Sequence, residues 1–393
     1  MITAADSPRL GKPVQPHVPA DFIDFRRSLP PSVPVLRDRL AIALGQLARR
    51  DDLGRLVHGS LARGAPHDRE NGAAFLRARL GSELDPDRIL PTNGTQAALL
   101  ILFPYLLGEN GVLLAERLSY GSLRPLAEAA GIPLRGVEMD AEGILPDAFE
   151  AACRSDGGRK ALYCNPTIQN PTTAIMAVDR RLQLAEIARR YGVPIIEDDV
   201  LGRLHPDAPA PIARLAPDIA WYVMSVSKAL AHGLRLAYLV APRPEDCTAA
   251  AKTVERLSFW NAAPLQAAIV GQWARSGDAD AISRAIRDEN IARERFARSS
   301  LERFGLISKP GSMHVWLPLR DGWTGAGFVA AAKSVGVLVR SAALFAVDDQ
   351  PRLEAVRLSL STPASPTVVH DGIQRLAALL DAGPRSNNRK DRG

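Results

Sequence analysis

The chain has 393 residues, 46% hydrophobic and 23% charged, an ordinary globular composition that can bury a large core and divide into a large and a smaller domain. The formal net charge of +6 is weak grounds for a nucleic-acid or membrane partner. Half of it falls in the tail beyond Gly383, where Arg385, Arg389, Lys390 and Arg392 outweigh Asp391, and such a polar end is expected to be solvated and disordered.

Residues 1–30 read as an extended arm. Pro30, Pro31 and Pro34 lead into a helical stretch over 35–50. A polar, Gly-rich loop over 58–66 and a helix over 73–80 follow. From Ile89 strand and helix patterns alternate. Apolar strands are predicted at 111–115, 132–137, 161–164, 193–197, 220–224 and 237–240, with helices at 120–130 and 180–191 between them. Short apolar strands separated by helices predict an α/β fold with a largely parallel sheet covered on both faces. Active sites in such sheets collect beyond the carboxyl ends of the strands.

After Pro242 the pattern changes. Helices fill 245–305, with Pro264 and Gly277 as punctuation. Shorter strands follow at 314–319, 336–340 and 355–360, with a closing helix at 367–380. This predicts a smaller α/β C-terminal domain. The expected division is an arm and helix over 1–50 that pack with the small domain, a large domain over 51–270, the small domain over 271–382, and a disordered basic tail over 383–393. Cys153, Cys164 and Cys247 form no CxxC and have no His cluster beside them, which argues against a metal site and for a reducing cytoplasm. Residues 1–20 have no apolar segment like that of a signal peptide. The longest apolar run, 97–107, is too short for a membrane span and contains Pro104.

Four loops follow strands of the sheet. The first, Thr92-Asn93-Gly94-Thr95-Gln96, opens an apolar helix, whose free N–H groups suit a phosphate. Alone it is equally a turn and N-cap. The second, Asn165-Pro166-Thr167-Ile168-Gln169-Asn170-Pro171, keeps Asn170 extended ahead of a proline, with its amide free to point at a ligand; a plain Pro-rich loop reads the same way. The third, Ile195-Ile196-Glu197-Asp198-Asp199, places carboxylates at the end of a buried strand. There they need a partner, such as a protonated ring nitrogen, unless they form an N-cap or a surface pair. The fourth, Ser225-Val226-Ser227-Lys228 with Gly233-Leu234-Arg235, offers hydroxyls, a guanidinium and an amine that burial can activate. Most lysines are simply solvated.

In this order the loops resemble fold-type I pyridoxal 5′-phosphate (PLP) enzymes of the aspartate aminotransferase superfamily. Within it the chain is similar to the aminotransferase-like half of MocR-type regulators. The stretches ILPTNGTQAAL, LYCNPTIQNPTTAIM, IIEDDVLGRL, SVSKALAHGLRLAYLVAP and EAVRLSLS carry the resemblance, which runs from about residue 23 to 380. It implies a large domain with a mostly parallel seven-stranded sheet between helices, plus the smaller α/β domain. Lys228 would carry PLP as a Schiff base and move the substrate proton. Asp198 would meet the ring nitrogen, and Asn170 the ring oxygen and substrate. Gly94, Thr95, Gln96, Ser225, Ser227 and Arg235 would hold the phosphate, and Tyr120 would stack on the ring. Arg357, in AVRLSLS, would grip the substrate α-carboxylate. The resemblance implies an aminotransferase acting on an amino acid and a 2-oxo acid, as a cytoplasmic homodimer with shared sites. Racemase, lyase or oxidase chemistry and effector sensing without turnover are its alternatives. Trp260 and Phe345 are candidate pocket walls, with core packing the safer reading.

Two positions depart from the family pattern. Relatives have a tyrosine three residues after the aspartate, where this chain has Leu201. Without that donor a raised internal-aldimine pKa is expected, and Leu201→Tyr should lower it in a visible-spectrum titration. Relatives often have Tyr-Gly where His58-Gly59 stand, and His58 is expected to reach the phosphate of a partner subunit. About 20 to 30 residues precede the matched region. That is fewer than a winged-helix DNA-binding domain needs, so the chain by itself is not expected to bind DNA.

Overall fold

The computed structural model describes residues 22–59, 61–155, 157–257, 261–348 and 353–384. Trp260 and the basic residues beyond 384 lie outside them. Among the described residues the strands are β1 (Ile23–Asp24), β2 (Ile89–Thr92), β3 (Val112–Glu116), β4 (Leu134–Val137), β5 (Met139–Asp140), β6 (Gly143–Ile144) and β7 (Lys160–Cys164). They continue with β8 (Ile195–Asp198), β9 (Ala220–Ser225), β10 (Ala237–Val240), β11 (His314–Pro318), β12 (Val337–Leu338), β13 (Arg340–Ser341) and β14 (Ala355–Ser359).

Seven strands form one sheet in the order β2-β10-β9-β8-β7-β3-β4. Pairs from β9 to β4 are parallel, and β10 is antiparallel to both its neighbours. These strands are almost wholly apolar because helices cover both faces. The pleat sends alternate residues to opposite sides. Ala161 and Tyr163 of β7 join a cluster with Leu99, Leu102 and Phe103 of the helix Thr95–Leu107. Leu162 and Cys164 join the opposite cluster, with Leu184 and Ala188 of the helix Val178–Tyr191. The register aligns the carboxyl ends: Cys164 lies opposite Glu197 and Asp198 opposite Val223, while Ala237 faces both Ser225 and Thr92. The loops that follow the parallel strands, and the one after β2, therefore meet at one edge.

The smaller unit contains a three-stranded antiparallel sheet, β11-β14-β13, and the parallel pair β1–β12. Its core includes Ile23, Phe25, Val315, Phe328, Leu358 and Ile373. The helix Asp278–Leu301 joins the two cores: Ile282 and Ile286 pack under the large sheet, and Ala297 and Leu301 under the small one.

Several boundaries differ from the sequence reading. The arm divides: Ile23 and Phe25 pack with the small unit, but the helix Pro34–Ala48 buries Ala43 and Leu47 in the large core. Its Arg39 carbonyl accepts from Trp273 Nε1 at 3.3 Å, which ties it to the helix Pro264–Ser276. A short helix, Leu53–His58, occupies part of the expected loop region. The helix expected at 120–130 begins only at Leu123, leaving Tyr120 in the turn before it. No helix among the described residues is long and apolar enough to cross a membrane.

Candidate active site

A cavity of about 530 Å³ opens at the carboxyl edge of the large sheet and is walled on its far side by β13 and β14. At one end lie Thr95 and Gln96, which begin the 13-residue helix, together with Ser225, Ser227 and Arg235. The first-turn amides of a helix have no acceptor within it. Ser225 Oγ accepts from Ser227 N at 3.1 Å and lies 2.9 Å from Ser227 Oγ. Gly94 is not part of the wall but shapes it. Its φ is +87°, and a Cβ there would come within 3.1 Å of Arg235 Nη2, so glycine lets the guanidinium cross the turn. Amides, hydroxyls and a guanidinium thus converge as a donor set for a phosphate.

The pleat decides which carboxylate of Glu197-Asp198-Asp199 enters the cavity. Glu197 points to the face of Ile195, where it accepts from Ile212 N and Ala213 N at 3.0 and 2.8 Å and pairs with buried Arg181 at 3.4 Å. Asp199 accepts from Arg79 Nε and Tyr222 OH, both at 2.8 Å. Asp198 points the other way and lines the cavity, accepting from Tyr163 OH at 2.8 Å and Val200 N at 3.3 Å. Burial raises its pKa to about 6, against the lowering effect of these bonds.

Lys228 lines the same cavity, and its Nζ donates to the Ser28 carbonyl of the arm. Burial lowers its pKa to about 8, and the charges of Arg357, Arg235 and Arg27 act in the same direction. Arg357 is 6% exposed. Its Nη1 donates to Asn170 Oδ1 at 2.9 Å and its Nη2 to Arg26 O at 2.7 Å, while its Nε has no partner among the described residues. The guanidinium lies over the Phe345 ring, 4.8 Å from the centroid. Phe345 is thus both core and cavity wall. Tyr120 faces the cavity, and its hydroxyl accepts from Gln96 Nε2 at 3.2 Å.

The loop that carries Asn170 is held from below. Asn165 N and Gln169 Nε2 donate to buried Glu116 at 3.2 and 3.3 Å, and burial raises the Glu116 pKa to about 8. Thr167 Oγ1 accepts from Arg181 at 3.1 Å and Arg79 at 3.3 Å. Leu201 also lines the cavity and is 6% exposed. His58 does not line it; it is the exposed last residue of its short helix.

Sequence reasoning did not find Arg27, Ser28, Arg340, Tyr163, Glu116 or His232 at this site. Ser28 stands 200 residues from Lys228, and nothing local signals that the arm returns. Tyr163 was legible in principle, since it leaves the same face of its strand as Ala161 and the strand ends at the site.

The residues fit PLP. The phosphate would lie among Thr95, Ser225, Ser227, Arg235 and the turn at Gly94. Asp198 would face the ring nitrogen and Lys228 the aldehyde.

Comparison with known proteins agrees with this fit. The aminotransferase class I and II family matches residues 49–373. An uncharacterized HTH-type transcriptional regulator of Bacillus subtilis, YdeF, is 28% identical over 79% of this chain and 67% of its own length. The aminotransferase swnA of Metarhizium robertsii is 32% identical over 48% of this chain and 41% of its own. An archaeal alanine:glyoxylate aminotransferase superposes with a TM-score of 0.82 at 26% identity, covering 92% of this chain and 91% of that one. The fold, the cavity and these matches together make the chain a member of the class I and II aminotransferase family, a fold-type I family whose cofactor is pyridoxal 5′-phosphate.

Proposed function

We propose that the chain is an aminotransferase that moves an amino group between an α-amino acid and a 2-oxo acid, with PLP bonded to Lys228. The observation that supports this is the meeting of Lys228, Asp198 and the Arg357–Asn170 pair on one cavity. When bound, PLP supplies a carbon open to amines and a ring that withdraws electrons.

The chain's own residues supply the rest. With a pKa of about 8, the Lys228 amine is neutral in a useful fraction near pH 7 and can act as a nucleophile. Displaced by the substrate amine, Lys228 Nζ would take the proton from the substrate α-carbon and return it to the former aldehyde carbon, on the far side of the shared nitrogen. Asp198 would hold the ring through its nitrogen, and Tyr163 keeps the carboxylate oriented. Arg357 presents its fork to the α-carboxylate, and Asn170 fixes the plane of the guanidinium. Phe345 covers one face of that fork and excludes water from it. Leu201 contributes no hydrogen bond.

This reading includes a homodimer, in which exposed His58 reaches the phosphate held by the partner subunit, and a cytoplasmic setting. Borohydride reduction of the holoenzyme followed by peptide mapping tests the linkage: the label belongs on the peptide that contains Lys228. Mixing the yellow holoenzyme with L-amino acids tests the reaction, with release of a 2-oxo acid as the expected result. The likeness to regulators favours a second reading, in which an amino acid binds, the spectrum shifts and no 2-oxo acid appears.

A further inference from the structure

His232 lines the cavity with Thr95, Ser225, Ser227, Lys228 and Arg235. The chain turns here, after the short helix Val226–Ala229. Leu234 N donates to Ala231 O at 3.2 Å, which leaves His232 and Gly233 as the corner. The corner stands between Lys228 on the helix and Arg235 on the outgoing chain, so one loop carries the amine, the imidazole and the guanidinium to the cavity. Among the described residues no hydrogen bond or ion pair holds the imidazole. Its Nδ1 is buried without a partner, and turning the ring about Cβ–Cγ brings either nitrogen to the cavity.

The charges that act on the ring are all positive: Lys228 and Arg235 from its own loop, and Arg27 from the arm. Burial and these charges together hold its pKa below the ordinary 6.5. Asp198, the one carboxylate among the described residues of the cavity wall, accepts from Tyr163 and Val200. His314 on the same wall is kept neutral by burial, with a pKa of about 3, and Arg26, Arg340 and Arg357 add only cations. A neutral imidazole offers one N–H and one lone pair, and among cations its N–H lacks an acceptor. A dianion entering here would supply that acceptor and offset the positive field, so that the ring could bind a second proton. The hydroxyls of Ser225 and Ser227 and the guanidinium of Arg235 already suit a phosphate at this end of the cavity.

We propose that His232 is a further residue of the phosphate subsite, one that hydrogen-bonds the cofactor phosphate and takes a proton from solvent as the phosphate enters. This rests on the fit of the cavity to PLP and not on the reaction assigned to it. The loop then couples cofactor affinity to pH. Phosphate binding raises the proton affinity of the ring, and by linkage a protonated ring raises the affinity for phosphate.

The test compares pyridoxamine 5′-phosphate with pyridoxamine, which differ only in the phosphate and form no Schiff base with Lys228. Their affinities for the full chain freed of cofactor are measured by calorimetry from about pH 6 to about pH 8, the range in which an imidazole titrates. The wild type should prefer the phosphorylated form. His232→Ala should cut that preference on the order of 10- to 100-fold, the worth of one hydrogen bond to a charged group, and leave the affinity for pyridoxamine as it was. His232→Gln keeps a donor but gains no charge, so the wild type should outdo it increasingly as pH falls, a ratio from which the titration of the phosphate itself cancels. An unchanged preference in His232→Ala, or a ratio of wild type to His232→Gln that is flat with pH, overturns the proposal. An equal loss for pyridoxamine does the same, since His232 would then act on the ring or on the fold. A preference that Arg235→Met abolishes and His232→Ala does not leaves the cofactor site standing and removes His232 from it. No preference in the wild type ends the phosphate subsite altogether.

Discussion

Beneath the cavity, the strand ends of the large sheet bury Glu116, Glu197, Asp198 and Asp199, and each meets donors from the fold: Asn165 and Gln169, Arg181 and two amides, Tyr163, Arg79 and Tyr222. On the opposite wall, Arg340 and Arg357 sit side by side with no carboxylate between them. The floor draws its donors from within the fold, although Asp199 Oδ1 has no partner among the described residues, and its bonds hold the loops in place. The wall brings two guanidiniums together with mostly neutral acceptors, the Arg26 carbonyl and the Asn170 amide oxygen, and the Asp24 charge reaches Arg340. Stability and function are thus invested in different regions, as expected where a site carries strain that the rest of the fold tolerates.

The residue between the two regions gives the largest expected effect. Lys228→Gln should abolish the borohydride label and slow the half-reaction by about 10²- to 10⁴-fold, the range of a positioned acid–base group. Stopped-flow absorbance measures the rate, and a loss under threefold would remove Lys228 from the reaction.

Arg79→Met strikes the floor. It leaves the buried Asp199 carboxylate without its 2.8 Å cation, which should cost about 3–5 kcal/mol in denaturant unfolding. A loss under 1 kcal/mol would mean that Tyr222 alone suffices and that the floor is not held by charge pairing.

The pH dependence of the apoenzyme probes Lys228 directly. Its folded pKa of about 8 lies below the ordinary 10.5, so the unfolded chain binds the extra proton between these values. The cost of burying the charge is fully present below pH 8 and is relieved as pH rises toward 10.5, at most about 1.4 kcal/mol per pH unit. Stability of wild type relative to Lys228→Met should therefore climb across that window. A flat difference would show an ordinary lysine.

The smallest effect is the most telling for the comparison. Arg340→Met removes a like-charge neighbour from the wall, so the apoenzyme should be unchanged or more stable by up to about 1 kcal/mol. A clear destabilisation would place Arg340 with the floor, as a structural residue.

Much of the site was legible because each loop carries its chemistry in a short, local pattern. Gly94 before an apolar helix, Asn170 before Pro171 and Lys228 after two serines need only the strand before them to be placed. What escaped notice is non-local. The arm supplies Arg27 and Ser28, β13 supplies Arg340, and the short pairing of Arg340 with Arg357 leaves no periodic trace. The expected strand over 336–340 is in fact two strands broken at Val339, and that break separates the β1 partner from the cavity wall. The helix Pro34–Ala48 buries Ala43 and Leu47 in the core shared with Trp273, Ile282 and Ile286, and its sequence shows that a helix packs but not against what.

From sequence alone came the alternating α/β architecture and the order of the loops after its strands, while the roles expected of Lys228, Asp198 and Arg357 came only with the resemblance that those loops carry. The architecture and the loop order depend on hydrophobic period and on residues adjacent in the chain. The tertiary structure decided which of three consecutive carboxylates faces the cavity, because the pleat turns Glu197 and Asp199 toward Arg181 and Arg79 and leaves Asp198 on the cavity side. It also decided that the arginines of the arm and of β13 meet Arg357 at one wall, because closure of the small unit over the sheet edge joins segments some 300 residues apart, and no local interaction specifies that contact.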